Sequence, residues 1–397
     1  MHVKNEIMRK FCANKFIISL LSAVILISGG CNRASKPESE RKIFNDPETG
    51  VEVWQITTNE KMSNMPYFEA SAFTHDDRYV VFKSWREEVP KLFRSDLETG
   101  VVTKISDHEA TGSYTIHPNG KEVWFISGDL LYAVDVAELK ERVVFDLSEL
   151  AGGREVRFSA LFTNDGNYSL VTFGTRGSEM EVYRLYVPEN KIEKVYVSQN
   201  GFSHPMINPT DPDIFTFVPY PDSQNDMSLS LEQRARTWIV DVKSGEGKPF
   251  LMMPTGYRAT HETWQADGER FFFFRKTVPG SKPVSICSID KNGGDFEEHY
   301  TDSVYKLGHG IESRDMLWFI ADSQDSYRNP LTLLNLKTGE VQILCWPNSS
   351  QATVEGNPQE DHVHPSFSFS GKYVAYTSDK GMGVSQAFVI PVDQFMK

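Results

Sequence analysis

Residues 73–84 read FTHDDRYVVFKS, and residues 92–106 read LFRSDLETGVVTKIS. The first stretch ends a short strand, turns on Asp76-Asp77 and opens an alternating apolar strand. The second gives a third strand, a Glu-Thr-Gly turn and a fourth. Turn residues at those points, with period-two apolar patterning between them, are hairpin chemistry. The unit recurs as TIHPNGKEVWFIS (115–127) with LLYAVDVAELKERVVF (130–145), and as ALFTNDGNYSLVTF (160–173) with YRLYVPENKIEKVYV (183–197). HPMINPTDPDIFTFV (204–218), HETWQADGERFFFF (261–274), HGIESRDMLWFIA (309–321) and HPSFSFSGKYVAYTS (364–378) open four more. Seven units at a spacing of roughly 42 to 57 residues fit four-stranded propeller blades. The expectation is an all-β, seven-bladed β-propeller with antiparallel blades and no long amphipathic helix. The last unit ends at QAFVIPV (386–392) with no fourth strand, and VEVWQITT (51–58) is expected to supply it and close the ring. Two unrelated β-sandwiches would not explain a single repeat running the length of the chain.

The chain has 397 residues, 40% of them apolar and 12% aromatic, which excludes a disordered polymer. Residues 1–15 are basic, Phe16 to Ile27 is an apolar run, and Ser28-Gly29-Gly30 precede Cys31. A charged start, a short apolar stretch and small residues before a cut site form a secretory signal. The run is too short to span a bilayer comfortably. Small residues before a Cys resemble the bacterial lipobox, which implies cleavage before Cys31 and lipidation of its thiol. The expected organisation is a signal over 1–30, a polar tether over 31–43 and a propeller over 44–397, in a bacterial envelope lipoprotein that is periplasmic or outer-membrane associated. Removing residues 1–30 leaves 37 basic against 53 acidic side chains, a net charge of −16. So acidic a body is a poor generic partner for nucleic acid, and any anionic ligand would need a local cation. Cys287 and Cys345 are too few for a disulfide scaffold, and neither lies in a CxxC.

His204, His261, His309 and His364 each open the first strand of their unit, and units four to seven are consecutive around a ring. Inner strands line a propeller's channel, so these imidazoles should converge near one mouth. The last unit adds His362, on the same face as His364 if the segment is extended. Two such imidazoles form a ready chelate for divalent Mn, Fe, Co, Ni or Zn. Channel-lining histidines bound to water and carbonyls would show the same pattern. Arg184, Arg234 and Arg236 flank the same half of the ring and read equally as solvated surface arginines. His75, His108, His117 and His299 fall in or near turns and read as solvated. No GxSxG, GxGxxG or Walker A stretch is present.

DPETGVEVWQIT (46–57), PYFEASAFTHDDRYVVF (66–82), SHPMINPTDP (203–212), ARTW (235–238), THETW (260–264) and QEDHVHPSFSFSGKYVAYTSD (359–379) together resemble the oligogalacturonate lyases, seven-bladed propellers that cleave short pectin fragments. The resemblance implies a divalent cation, typically Mn2+, on His261, Gln359, His362 and His364. It implies His204 and Arg184 as catalytic residues, His204 being the base, and Arg236 and His309 as substrate contacts. The implied reaction is β-elimination from oligogalacturonate, giving a 4,5-unsaturated uronate. The chain departs from the family at Asn64-Met65-Pro66, at Phe217 to Asp222 and at Glu181, so another uronic-acid oligomer is an open alternative. A non-catalytic TolB-like envelope propeller that binds protein or glycan is the other.

Overall fold

The computed structural model describes residues 38–324, 329–350, 362–380 and 383–396. It is a seven-bladed β-propeller of antiparallel sheets. Among the described residues the only α-helix is the single turn Ser148–Ala151. Each blade runs outward from an inner strand. The inner strands that matter here are Ser63–Asn64 in blade one, Phe202–Ile207 in blade four, Tyr257–Trp264 in blade five, Leu307–Glu312 in blade six and Ser366–Phe367 in blade seven. In blade seven, Glu52–Gln55 lies antiparallel on Gln386–Pro391, with Trp54 opposite Val389 and Gln55 opposite Phe388. Lys42–Asn45 adds a fifth strand outside it.

Alternation on each strand sends one apolar row to each neighbouring blade, so the core is not central but divided into seven interblade layers. Phe73, Phe82 and Phe93 of blade one pack on Ala375, Ala387 and Val389 of blade seven. Val81, Leu92 and Tyr114 join blades one and two, and Phe274, Ile286 and Phe319 join blades five and six. Burying one such Phe contributes about 1.5–3 kcal/mol relative to leaving it exposed. The layers hold the inner strands rigidly, and what those strands carry is therefore fixed in position.

The docked chain begins earlier than the sequence suggests. Glu40 donates its N–H to Gly100 O at 3.0 Å, Arg86 pairs with the Glu40 carboxylate at 2.7 Å, and Arg41 NH1 donates to Leu97 O at 2.6 Å. Of the residues expected in a tether, 39–41 are thus attached to blade one and 42–43 to blade seven. Gly100 permits this, because it turns at φ +74° and a Cβ there would collide with Ser39 Oγ. Cys287 and Cys345 are both free and buried, in blades five and six.

Candidate metal centre and substrate cavity

The inner strands of blades four and five each carry a β-bulge, between Ser203 and Met206 and between Thr260 and Thr263. The residue two positions before ladder pairing resumes is His204 in one and His261 in the other. Both are left-handed, with φ of 50° and 53°. His364 stands in the same relation to Ser366 in blade seven and has φ 43°. A non-glycine residue there is uncommon and strained, and bulges of this kind re-aim a side chain beside functional sites. Three blades thus use one device to turn an imidazole toward the channel.

His309 departs from this phase. Blade six bulges between Leu307 and Gly310, and there Gly308 takes the position two before pairing resumes. His309 is one residue later. It nevertheless lies at the centre of the cluster, with ring centroids 4.1 Å from His261, 4.3 Å from His364 and 5.3 Å from His362. The ligand atoms of His309, His362 and His364 all lie within 4.8 Å of one another. The convergence expected from the sequence is therefore present. The compact trio contains His309, expected as a substrate contact, and leaves out His261, expected as a ligand. Gln359 and Cys31 lie outside the described residues.

Hydrogen bonds orient the rings. His309 donates Nδ1–H to Asp322 Oδ2 at 3.0 Å, and its backbone N–H goes to Oδ1 at 2.7 Å. The same carboxylate accepts His364 N–H at 3.3 Å. His261 Nδ1 donates to Gly308 O at 3.1 Å. A committed Nδ1–H leaves Nε2 with its lone pair, the arrangement found behind metal-binding imidazoles. His364 Nε2 and His204 Nδ1 are buried with no hydrogen-bond partner among the described residues. Burial holds His364 well below the usual imidazole range, reinforced by His309 and His362. Burial does the same to His261, with His309 and Lys276 adding to it. His204 is lowered by burial too; Glu262 opposes the shift, while Arg236 and Arg176 assist it. All three are neutral bases near pH 7.

The arginines fall differently from the sequence reading. Arg184 sits on the third strand of blade three, where it binds Asp213 at 2.6 Å, Pro212 O at 3.0 Å and Glu193 at 2.8 Å. Asp213 belongs to the turn that follows the blade-four inner strand, at the opposite end of that strand from His204. Arg184 is therefore a strut between blades and does not stand beside His204. Arg236 does reach the site, but Glu262 takes its Nε at 2.6 Å and NH2 at 3.1 Å, and Asp222 takes NH1 at 3.0 Å. Burial works against that guanidinium's charge, and the two carboxylates outweigh it and raise its pKa. Arg236 anchors Glu262 instead of standing open to substrate. Glu181, which replaces an arginine of the resembled family, is matched by Arg154 at 2.6 Å and Lys194 at 2.9 Å. His117, expected in a solvated turn, is buried and donates Nε2–H to Gly166 O at 3.0 Å.

A cavity of about 740 Å³ opens beside His204, between blades one and four. Tyr67, Glu69, Lys83, Arg157 and Arg176 line it. Arg176 is exposed on the loop between the second and third strands of blade three and holds no ion pair among the described residues. It was not singled out in the sequence, because a lone Arg in a Gly-Thr-Arg-Gly loop has no periodicity to mark it. Tyr67 packs against His364, His309 and His204 at centroid distances of 4.7, 5.6 and 5.9 Å. Phe68, fully buried, sits under His309 at 5.6 Å. Glu69 lines this cavity and a second one of about 240 Å³ farther along the axis. Burial, then Glu262, raises the Glu69 carboxyl well above its ordinary value.

No family model matches the chain. The oligogalacturonide lyase of Pectobacterium atrosepticum is 20% identical over 367 residues, covering 85% of this chain and 92% of its own. The oligogalacturonate lyase of Dickeya dadantii is 20% identical over 369 residues, with the same coverage of both. A solved oligogalacturonate lyase in complex with manganese superposes with a TM-score of 0.76 at 19% identity, over 91% of this chain and 100% of that one. The likeness thus extends around the whole ring and beyond the quoted motifs, and over most of its length the chain is similar to the oligogalacturonate lyases.

Proposed function

We propose that this chain is a metal-dependent lyase that cleaves oligogalacturonate by β-elimination. The observation that carries the reading is the packed group of histidines, His261 and His309 anchored through Nδ1, beside a cavity that holds an uncompensated arginine. A uronate's C5 proton is weakly acidic, because the adjacent carboxylate is already negative. Neutralising that carboxylate is the main task. A bound divalent cation supplies it as a Lewis acid, contributing several kcal/mol of charge stabilisation.

His309, His362 and His364 would hold the ion, with His261 beside them and Gln359 implied by the resemblance. The orphaned Nε2 of His364 fits that role, since a buried acceptor without a partner is costly unless something pairs with it. Manganese is the metal the resemblance implies, and the manganese complex of a relative supports it. His204 takes the C5 proton, being half-buried, held below the ordinary imidazole range and part of the cavity lining. A positioned base contributes typically ~10²–10⁴-fold. Arg176 receives a uronate carboxylate, which its planar guanidinium can bind through two hydrogen bonds. Such local cations let an acidic body hold an acidic substrate. Asn64, Met65 and Pro66 line the same cavity in place of the family's stretch, and this favours a second reading in which the preferred oligomer is a different uronate. The signal and lipobox over 1–31 support a further proposal, an envelope lipoprotein anchored through Cys31.

The test follows the ultraviolet absorbance of the unsaturated uronate across several uronic oligomers, before and after chelation and manganese return. Product that forms with oligogalacturonate, stops on chelation and resumes with manganese is expected. Undiminished turnover after exhaustive chelation overturns metal dependence. No product from any uronic oligomer favours a non-catalytic binder.

A further inference from the structure

Tyr67 is held in place on both sides of its backbone. Phe68, which follows it, is fully buried under His309, and Ala70 N–H closes a turn onto Tyr67 O at 2.9 Å. Its ring touches His309 and His364 of the metal-competent trio and also His204. Among the described residues its hydroxyl makes no hydrogen bond, and the residue lines the 740 Å³ cavity. Tyr67 is half-buried, so packing holds its ring while its hydroxyl stays available to a partner in the cavity.

The geometry of elimination supplies one. The substrate carboxylate belongs at the trio and its C5 at His204, so the ring that contacts both lies over the bond joining C5 to the carboxyl carbon. As the C5 proton leaves, negative charge flows onto the carboxylate oxygens. We infer that the Tyr67 hydroxyl donates a hydrogen bond to the carboxylate oxygen on which that charge accumulates, which makes Tyr67 a catalytic residue. This rests on the lyase reading above. The C5–H bond breaks and its proton goes to His204. The electron pair forms the C4=C5 bond, and the C4–O4 bond breaks with its pair leaving on O4, which takes a proton from water. Tyr67 keeps its own proton throughout. A phenol is protonated at neutral pH, so the donor is present without adjustment.

Tyr67→Phe keeps the ring and removes the donor. Loss of one preorganised donor of this kind costs about 10²–10³-fold in kcat. The expected variant shows that loss with a nearly unchanged KM, unchanged manganese affinity and melting temperature, and a primary isotope effect on kcat with C5-deuterated substrate. A variant with wild-type kcat overturns the inference. So does one that loses manganese, since Tyr67 would then only position the imidazoles. An inactive wild-type protein overturns the lyase reading and this inference with it. An active wild type beside an equally active variant overturns the role of Tyr67 alone.

Discussion

Replacing Asp322 by Asn changes one atom at the junction of blades six and seven. Asp322 is 1% exposed, and its two oxygens accept three hydrogen bonds, from His309 N–H, His309 Nδ1–H and His364 N–H. An amide offers one oxygen and one NH2. If the oxygen stays opposite His309 N–H, the NH2 faces His309 Nδ1–H and His364 N–H, and both lose their acceptor. If it flips, His309 N–H loses its own. Each buried donor left unpaired costs about 1–3 kcal/mol, so a loss of ~2–4 kcal/mol in folding stability is expected. His309 has one escape, which is to move its proton to Nε2 and accept from the amide at Nδ1. That removes the lone pair a metal would use. Loss of such an outer partner weakens metal affinity typically ~10–100-fold. Manganese titration by calorimetry, with thermal unfolding in parallel, reads both quantities. A folded variant with undiminished manganese affinity would refute a role for His309 as a ligand and place the ion on the His261 side.

Other expectations follow from the same geometry. His204→Ala should bind manganese as the parent does and lose ~10²–10⁴-fold in turnover; loss of the metal instead would make His204 a ligand. Arg176→Ala should raise KM for oligogalacturonate more than it lowers kcat, whereas Arg184→Ala should leave both nearly unchanged, and the reverse pattern would restore the sequence reading. His204 has its pKa lowered in the folded protein, so 15N shifts should show it less protonated at pH 6 than a free imidazole, which is largely protonated there. The acid limb of kcat/KM should then fall below the ordinary imidazole range, and a limb at or above it would mean that another group is the base.

The propeller was legible because each blade repeats one hydrophobic alternation with turns at fixed offsets. The site was legible where a residue's position within the repeat determined its direction. His204, His261 and His364 share a bulge position, and that phase is written in the spacing between each His and the turn that follows. His309 keeps the same spacing, four residues before Ser313, but its backbone is not left-handed, because ladder pairing in its blade resumes one residue earlier, at Gly310. Arg184 was misplaced because nearness in sequence to the His-Pro motif does not specify which end of a strand a residue occupies; its partner Asp213 lies in the turn at the far end. Asp322 carries no local signal at all, since its value lies in reaching backbone donors of two blades. Residues 39–43 look like a tether by composition, and only their contacts with blades one and seven show otherwise.

The proposed chemistry requires the histidines of blades five to seven to form one ion site. Anomalous diffraction at the manganese edge, from crystals equilibrated with manganese, tests it directly. A single strong peak bonded to His362, His364 and at least one of His309 and His261 is expected. A peak elsewhere on the ring, or none at the cluster while the protein cleaves oligogalacturonate, would contradict it.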